Sequence, residues 1–118
     1  MKLNELTLAQ AAEGLKNKKF SSVELTTACL EQIEKRNAKL NAFITICNES
    51  AIQEAKRADD VIAQGKGQLL TGIPFAVKDA ICTAGVRSTA AARILDNYVP
   101  AFDATVIGKI RAQGGVLV

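Results

Sequence analysis

The sequence predicts an α/β unit in which helices pack on an incomplete mixed sheet. Three observations predict it. Capping patterns at Thr7 and Ser21 each open a stretch of apolar residues at helical spacing. Short runs rich in β-branched residues lie at 42–47, 73–77 and 116–118. Further helical patterns separate those runs, so strands and helices alternate along the chain.

Thr7 with Gln10 three residues on is a capping-box pattern, and Leu8, Ala11, Ala12 and Leu15 then share a helix face. Lys16, Lys18 and Lys19 fall where this helix ends, where positive charge complements the helix dipole. Ser21 with Glu24 opens a second helix, and Phe20 can staple against Leu25. Ser22 lies one residue inside the cap and is expected to contribute little. Leu25, Leu30, Cys29 and Ile33 form the apolar face; Glu31, Glu34, Lys35 and Arg36 face water.

After Asn37 to Asn41 the pattern changes, and Ala42-Phe43-Ile44-Thr45-Ile46-Cys47 reads as a strand. Asn48 is placed to cap a third helix with an apolar line of Ala51, Ala55, Ala58 and Ile62, while Glu54 and Asp59 are expected to be solvated. Gly65 is placed to end it. Gly65-Lys66-Gly67 lacks the spacing of a Walker A loop and sits outside a strand-to-helix turn.

Gly72-Ile73-Pro74-Phe75-Ala76-Val77-Lys78-Asp79 is an apolar run opened by a turn, and reads as a buried strand that delivers Lys78 at its far end. Open α/β sheets place ligands at the carboxyl ends of their strands, which makes Lys78 the residue to explain, although a charge after an apolar run by itself reads as a solvated strand end. If the extended geometry persists, Asp79 points to the opposite face from Lys78, so a solvated or loop-bonding aspartate is expected rather than an ion pair. Cys82 to Thr89 has the composition of an active-site rim, and Ser88 and Thr89 offer hydroxyls that raise the option of a local Ser-Lys dyad. Asp103 is placed to cap a last helix through Ala104, Val106, Ile107 and Ile110, closing at Gly114-Gly115 before the strand Val116-Leu117-Val118.

The net charge of +3 over 118 residues is too small and too evenly spread to indicate nucleic-acid binding. Histidine is absent, which removes Ser-His and Cys-His nucleophile pairs and most zinc sites. Cys29, Cys47 and Cys82 form no C-x-x-C pair and read as reduced thiols of a cytoplasmic protein, with structural roles. No apolar stretch approaches the ~20 residues of a membrane span.

The run Gly72 to Asp79, its continuation Ala80-Ile81-Cys82-Thr83-Ala84-Gly85-Val86-Arg87-Ser88-Thr89, the segment Tyr98-Val99-Pro100-Ala101-Phe102-Asp103-Ala104-Thr105 and Leu40-Asn41-Ala42-Phe43-Ile44 together closely resemble the amidase signature family. Within that family they are most similar to the A subunits of the bacterial tRNA-dependent amidotransferases. The resemblance covers essentially the whole chain. It implies that residues 1–118 are the N-terminal portion of one amidase domain, ending before the Gly-Ser-rich stretch that carries two catalytic serines. It also implies that Lys78 is the lysine of a serine, cis-serine, lysine triad, and that no cofactor belongs to this chain.

By the same resemblance, the parent enzyme hydrolyses glutamine and passes ammonia to a B subunit. That subunit uses ATP and magnesium to activate misacylated Glu-tRNA(Gln) or Asp-tRNA(Asn), and a C subunit holds the complex together. An amidase of the same family with a small-molecule amide substrate, and a non-catalytic truncated fragment, are the alternatives. These residues alone are expected to be inactive. The family commonly has asparagine after its Lys-Asp pair, whereas Ala80 stands here and removes one hydrogen-bonding side chain beside Lys78. A free lysine titrates near ~10.4, so work as a base at neutral pH requires a site that lowers it by roughly three units.

Overall fold

The computed structural model describes residues 1–118. After a 3-10 turn at Leu3–Glu5, helix α1 spans Leu8–Lys16. Its start is the expected capping box: Thr7 Oγ1 accepts the Gln10 N–H at 3.3 Å, and Gln10 Oε1 accepts the Thr7 N–H at 2.9 Å. Helix α2 (Ser22–Leu40) begins the same way, with Ser21 Oγ accepting the Glu24 N–H at 3.1 Å and the Glu24 carboxylate accepting the Ser21 N–H at 2.8 Å. Phe20 packs against the cluster that contains Leu25, as the staple requires.

Helix α2 takes in Asn37 through Leu40 and stops at Asn41, which adopts a left-handed conformation (φ 50°, ψ 40°). The Asn37 side chain then holds both main-chain groups of Phe43, accepting its N–H at 2.8 Å and donating to its carbonyl at 3.0 Å. This explains why 42–47 is not the strand its composition suggests. Phe43 has given its backbone groups to a side chain, and one long bond, Cys47 N–H to the Val118 carbonyl at 3.4 Å, ties the segment to the sheet.

Helix α3 spans Asn48–Ala63, so Asn48 is its first residue and not its cap; Cys47 holds the cap position without a side-chain bond. Ala51, Ala55 and Ala58 are buried as their spacing predicted, and these small side chains let α3 pack closely on α2. Two polar residues expected in water are instead structural. The Asp59 carboxylate accepts the N–H groups of Ser22 and Val23 at 2.7 and 3.2 Å, so α3 caps α2 from outside. The Glu54 carboxylate accepts the Leu117 N–H at 2.9 Å.

Strand β1 is only Pro74–Phe75, and after helix α4 (Thr105–Ala112) comes β2 at Val116–Leu117. The two pair in parallel, Pro74 opposite Val116 and Phe75 opposite Leu117. The strand predicted to reach Lys78 is therefore shorter. Its ladder ends where the Val118 N–H donates to the Phe75 carbonyl at 3.1 Å, and Ala76 to Lys78 continue as irregular chain. Asp103 does not cap α4. Its carboxylate accepts the Ala84 N–H at 2.7 Å and pairs with Arg111 at 3.0 Å, fastening a loop to the helix.

Two clusters make the core: Ala11, Leu15, Leu25 and Ile73 on one side, and Ile33, Ala51, Ala55, Val116 and Val118 on the other. Helix α2 contributes to both, and burial of Leu25 or Ile33 is each worth about 1.5–3 kcal/mol. Ser22 joins the helix to the sheet: its buried hydroxyl donates to the Gly72 carbonyl at 2.8 Å. Gly72 adopts φ +80°, and a Cβ there would lie 2.9 Å from the Ser22 side chain, so the close approach requires glycine. No helix is long and apolar enough to cross a membrane.

Candidate active site

Beyond the carboxyl ends of β1 and β2 lies a groove of about 430 Å³. Leu117 and Val118 line it from the sheet, Phe43 to Thr45 from the segment after α2, and Val77 to Ile81 with Val86 to Ser88 from the long loop that follows β1. A second cleft, of about 480 Å³, gathers Arg57, Lys66 and Arg111 at the opposite, amino ends of the strands, near Thr71 and Gly114. Crevices at the carboxyl ends are where open α/β sheets bind ligands, and it is the first groove that holds Lys78.

Lys78 sits on a turn closed by the Ile81 N–H donating to the Lys78 carbonyl at 3.0 Å. It is exposed, and the ion pairs of the chain, Arg87 with Asp96 and Arg111 with Asp103, leave it aside. Asp79 makes no ion pair with it and bonds a loop, although the extended geometry behind that expectation is absent, the chain turning at Asp79 and Ala80. Its carboxylate accepts the Thr89 N–H at 2.9 Å, the Thr89 hydroxyl, and the Ala91 N–H at 3.4 Å. Its own carbonyl accepts the Ala90 N–H at 3.0 Å. The Thr89 hydroxyl beside the carboxylate holds Asp79 below the usual carboxylate range, against the raising effect of partial burial.

The loop so held is strained, because Ala90 and Ala91 both lie in the left-handed region at φ 49° and 57°. Each such alanine costs on the order of 1–2 kcal/mol, offset by the bonds to Asp79 and by the Thr89 hydroxyl, which accepts the Ala91 N–H at 3.2 Å.

Ser88 and Thr89 are buried. The Ser88 hydroxyl donates to the Val86 carbonyl at 3.1 Å and the Thr89 hydroxyl to Asp79, so neither is disposed as the partner in a Ser-Lys dyad. The loop is zipped to the segment 98–104 by three main-chain bonds: Ser88 N–H to Tyr98, Gly85 N–H to Pro100, and Ala104 N–H to Cys82, at 3.0, 3.0 and 2.8 Å. The sequence stretches that resembled one family are thus folded against each other.

Cys47 lines the groove on the far side, and burial first, then the charge of Glu54, push its thiol upward, away from a reactive thiolate. Burial does the same to Cys29. No cluster of three or more His, Cys, Asp or Glu side chains converges as a metal site would. One groove residue carries no signal in the sequence: the Thr45 hydroxyl is buried without a partner, a state that costs ~1–3 kcal/mol and favours a polar ligand beside it. Its neighbours Ile44 and Ile46 make the segment look purely apolar.

A solvent-facing lysine at the carboxyl end of a parallel pair, beside a mostly apolar groove, has the make-up of a small-molecule pocket: apolar walls with a few polar groups. Residues 24–118 match the family model described as Amidase, and the chain belongs to the amidase family. It is 49% identical over 115 residues to the A subunit of glutamyl-tRNA(Gln) amidotransferase from Dehalococcoides mccartyi, covering 98% of this chain and 24% of that protein. The protein of the same name from Geotalea daltonii is 48% identical over 118 residues, again with 24% of its length covered. The chain therefore spans about a quarter of the length of the curated relatives it matches.

Among solved structures, the native peptide amidase from Stenotrophomonas maltophilia superposes with a TM-score of 0.90 at 27% identity, covering 97% of this chain and 24% of that one. A bacterial aryl acylamidase of the amidase signature enzymes gives 0.88 at 25% identity over 100% of this chain and 25% of the other.

Proposed function

We propose that these residues are the N-terminal part of an amidase domain in the A subunit of an amidotransferase, and that Lys78 is its catalytic base. The observation that carries the reading is the 49% identity along nearly the whole chain to the A subunit of a glutamyl-tRNA(Gln) amidotransferase. The position of Lys78 is consistent with it: the side chain is free of internal partners and borders the groove where a substrate amide would enter.

In this reading the neutral amine of Lys78 accepts the proton released as a nucleophilic serine, relayed through a cis-configured serine, attacks the glutamine amide carbon. The carbon–nitrogen bond then breaks as the proton returns through the same relay to the leaving nitrogen, ammonia departs, and an acyl-enzyme remains for water to hydrolyse. The family resemblance implies that both serines lie in the part of the relatives' length that this chain does not cover, so in this reading the 118 residues hold one of three groups and turnover requires the others. Partner B and C subunits, ATP and magnesium on the B subunit, and the misacylated tRNA complete the assembly.

The test is Lys78→Arg in the full-length protein. Arginine keeps the charge but has no accessible neutral form, so glutamine hydrolysis should fall 10²- to 10⁴-fold with the melting temperature unchanged. Near-normal hydrolysis would overturn the assignment. The likeness to a peptide amidase favours a second reading, hydrolysis of small amides without tRNA. Assaying glutamine and peptide amides side by side separates the two: amidotransferase function requires preference for glutamine and ammonia transfer to misacylated tRNA.

A further inference from the structure

The position of Lys78 poses a mechanical problem. Regular pairing ends at Phe75, three residues before it, and Lys78 lies on exposed irregular chain. A base must be held within about half an ångström of its productive geometry, which an unsupported loop does not do. Asp79 supplies the support from both of its ends. Its carbonyl receives the Ala90 N–H, and its carboxylate receives both donors of Thr89 and the N–H of Ala91. The residue directly after Lys78 is thereby fixed to the Thr89–Ala91 segment, and the neighbouring Ser88 N–H is in turn bonded to the Tyr98 carbonyl. Ala90 and Ala91 line the same groove as Lys78 while held left-handed.

We infer that Asp79 is a positioning residue for Lys78: its carboxylate clamps the Thr89–Ala91 loop, and through that clamp fixes the main chain on which the lysine is presented. The inference rests on the reading of Lys78 as the base. Asp79 lines the groove too, but its carboxylate is bonded to Thr89 and Ala91 and makes no ion pair with Lys78. Its action is geometric, so its loss lowers the turnover of bound substrate more than the binding of substrate. An asparagine in its place keeps the shape, but its amide NH₂ replaces one acceptor and opposes the Ala91 N–H or the Thr89 donors.

The experiment uses the full-length protein and four variants, Asp79→Asn, Thr89→Val, Thr89→Ser and Lys78→Arg, with Lys78→Arg/Asp79→Asn as the double variant. Asp79→Asn should lower kcat for glutamine hydrolysis by 10- to 100-fold with KM within about threefold and the melting temperature within a few degrees. Thr89→Val, equal in shape but without the hydroxyl, should lower kcat in the same sense, and Thr89→Ser should recover most of that loss. In the Lys78→Arg background, Asp79→Asn should add no further loss, because a residue that acts through the lysine has nothing left to position.

A kcat for Asp79→Asn within twofold of the parent would overturn the inference. So would a loss that combines multiplicatively with Lys78→Arg, or a loss matched by unfolding and not relieved in Thr89→Ser. The arms are distinguishable: a fully active Lys78→Arg refutes the base reading itself, whereas an inactive Lys78→Arg beside an active Asp79→Asn refutes the clamp alone.

Discussion

Ser21 and Ser22 show how far a single position can depart from its local pattern. Ser21 is the visible cap, and its replacement by alanine removes one acceptor at about 1 kcal/mol. Ser22, expected to matter little, is buried and gives its hydroxyl to the Gly72 carbonyl, fifty residues away in sequence. Ser22→Ala leaves that buried carbonyl without its donor, a cost of ~1–3 kcal/mol. Denaturant unfolding of the full-length protein should therefore rank Ser22→Ala as at least as damaging as Ser21→Ala. The reverse order would show that the Gly72 carbonyl finds another partner.

Helix α2 depends on charge at its start. Glu24 accepts from the Ser21 main chain and from its hydroxyl, and these bonds hold its carboxyl below the usual value. The sign follows directly: a depressed folded value means the capping contribution is complete above the unfolded value of about 4.3, and is lost as pH falls through the lower, folded value. Glu24→Gln can still cap but cannot titrate, so its stability should fall less steeply than the parent's between neutral and acid pH. Identical acid limbs in pH-dependent denaturation would rule this out. Asp59 caps the same helix end from α3, joining two helices that composition alone treats as independent.

At the scale of the molecule, the surface is large for the mass. The 118 residues expose 7592 Å², where a compact chain of 12.5 kDa exposes about 6,200 Å². Ile44, Phe102 and Val106 each leave half or more of their surface in water, and the sheet is a single two-residue pair. Ordinary domains are stable by only ~5–15 kcal/mol, so residues 1–118 expressed by themselves should unfold over a broad denaturant range and bind a hydrophobic dye before unfolding. A sharp two-state transition without dye binding would show that the two small clusters suffice.

What the sequence determined by itself is local. Two capping boxes, the alanine line of α3, the glycine that ends it and the apolar strand β2 follow from neighbours three or four residues apart, and such contacts form wherever the chain goes. The family resemblance singled out Lys78 by motif, whereas the turn at Asp79 that replaces the expected strand was not legible. Only the tertiary structure decided what depends on distant partners: where the ladder stops, why 42–47 stays unpaired, and that Asp59, Glu54 and Asp103 serve backbone donors elsewhere in the fold. A carboxylate on a helix or before one looks the same in sequence whether it meets water or an N–H. Which one it meets is fixed by packing, because a buried donor must find an acceptor from whatever element lies against it.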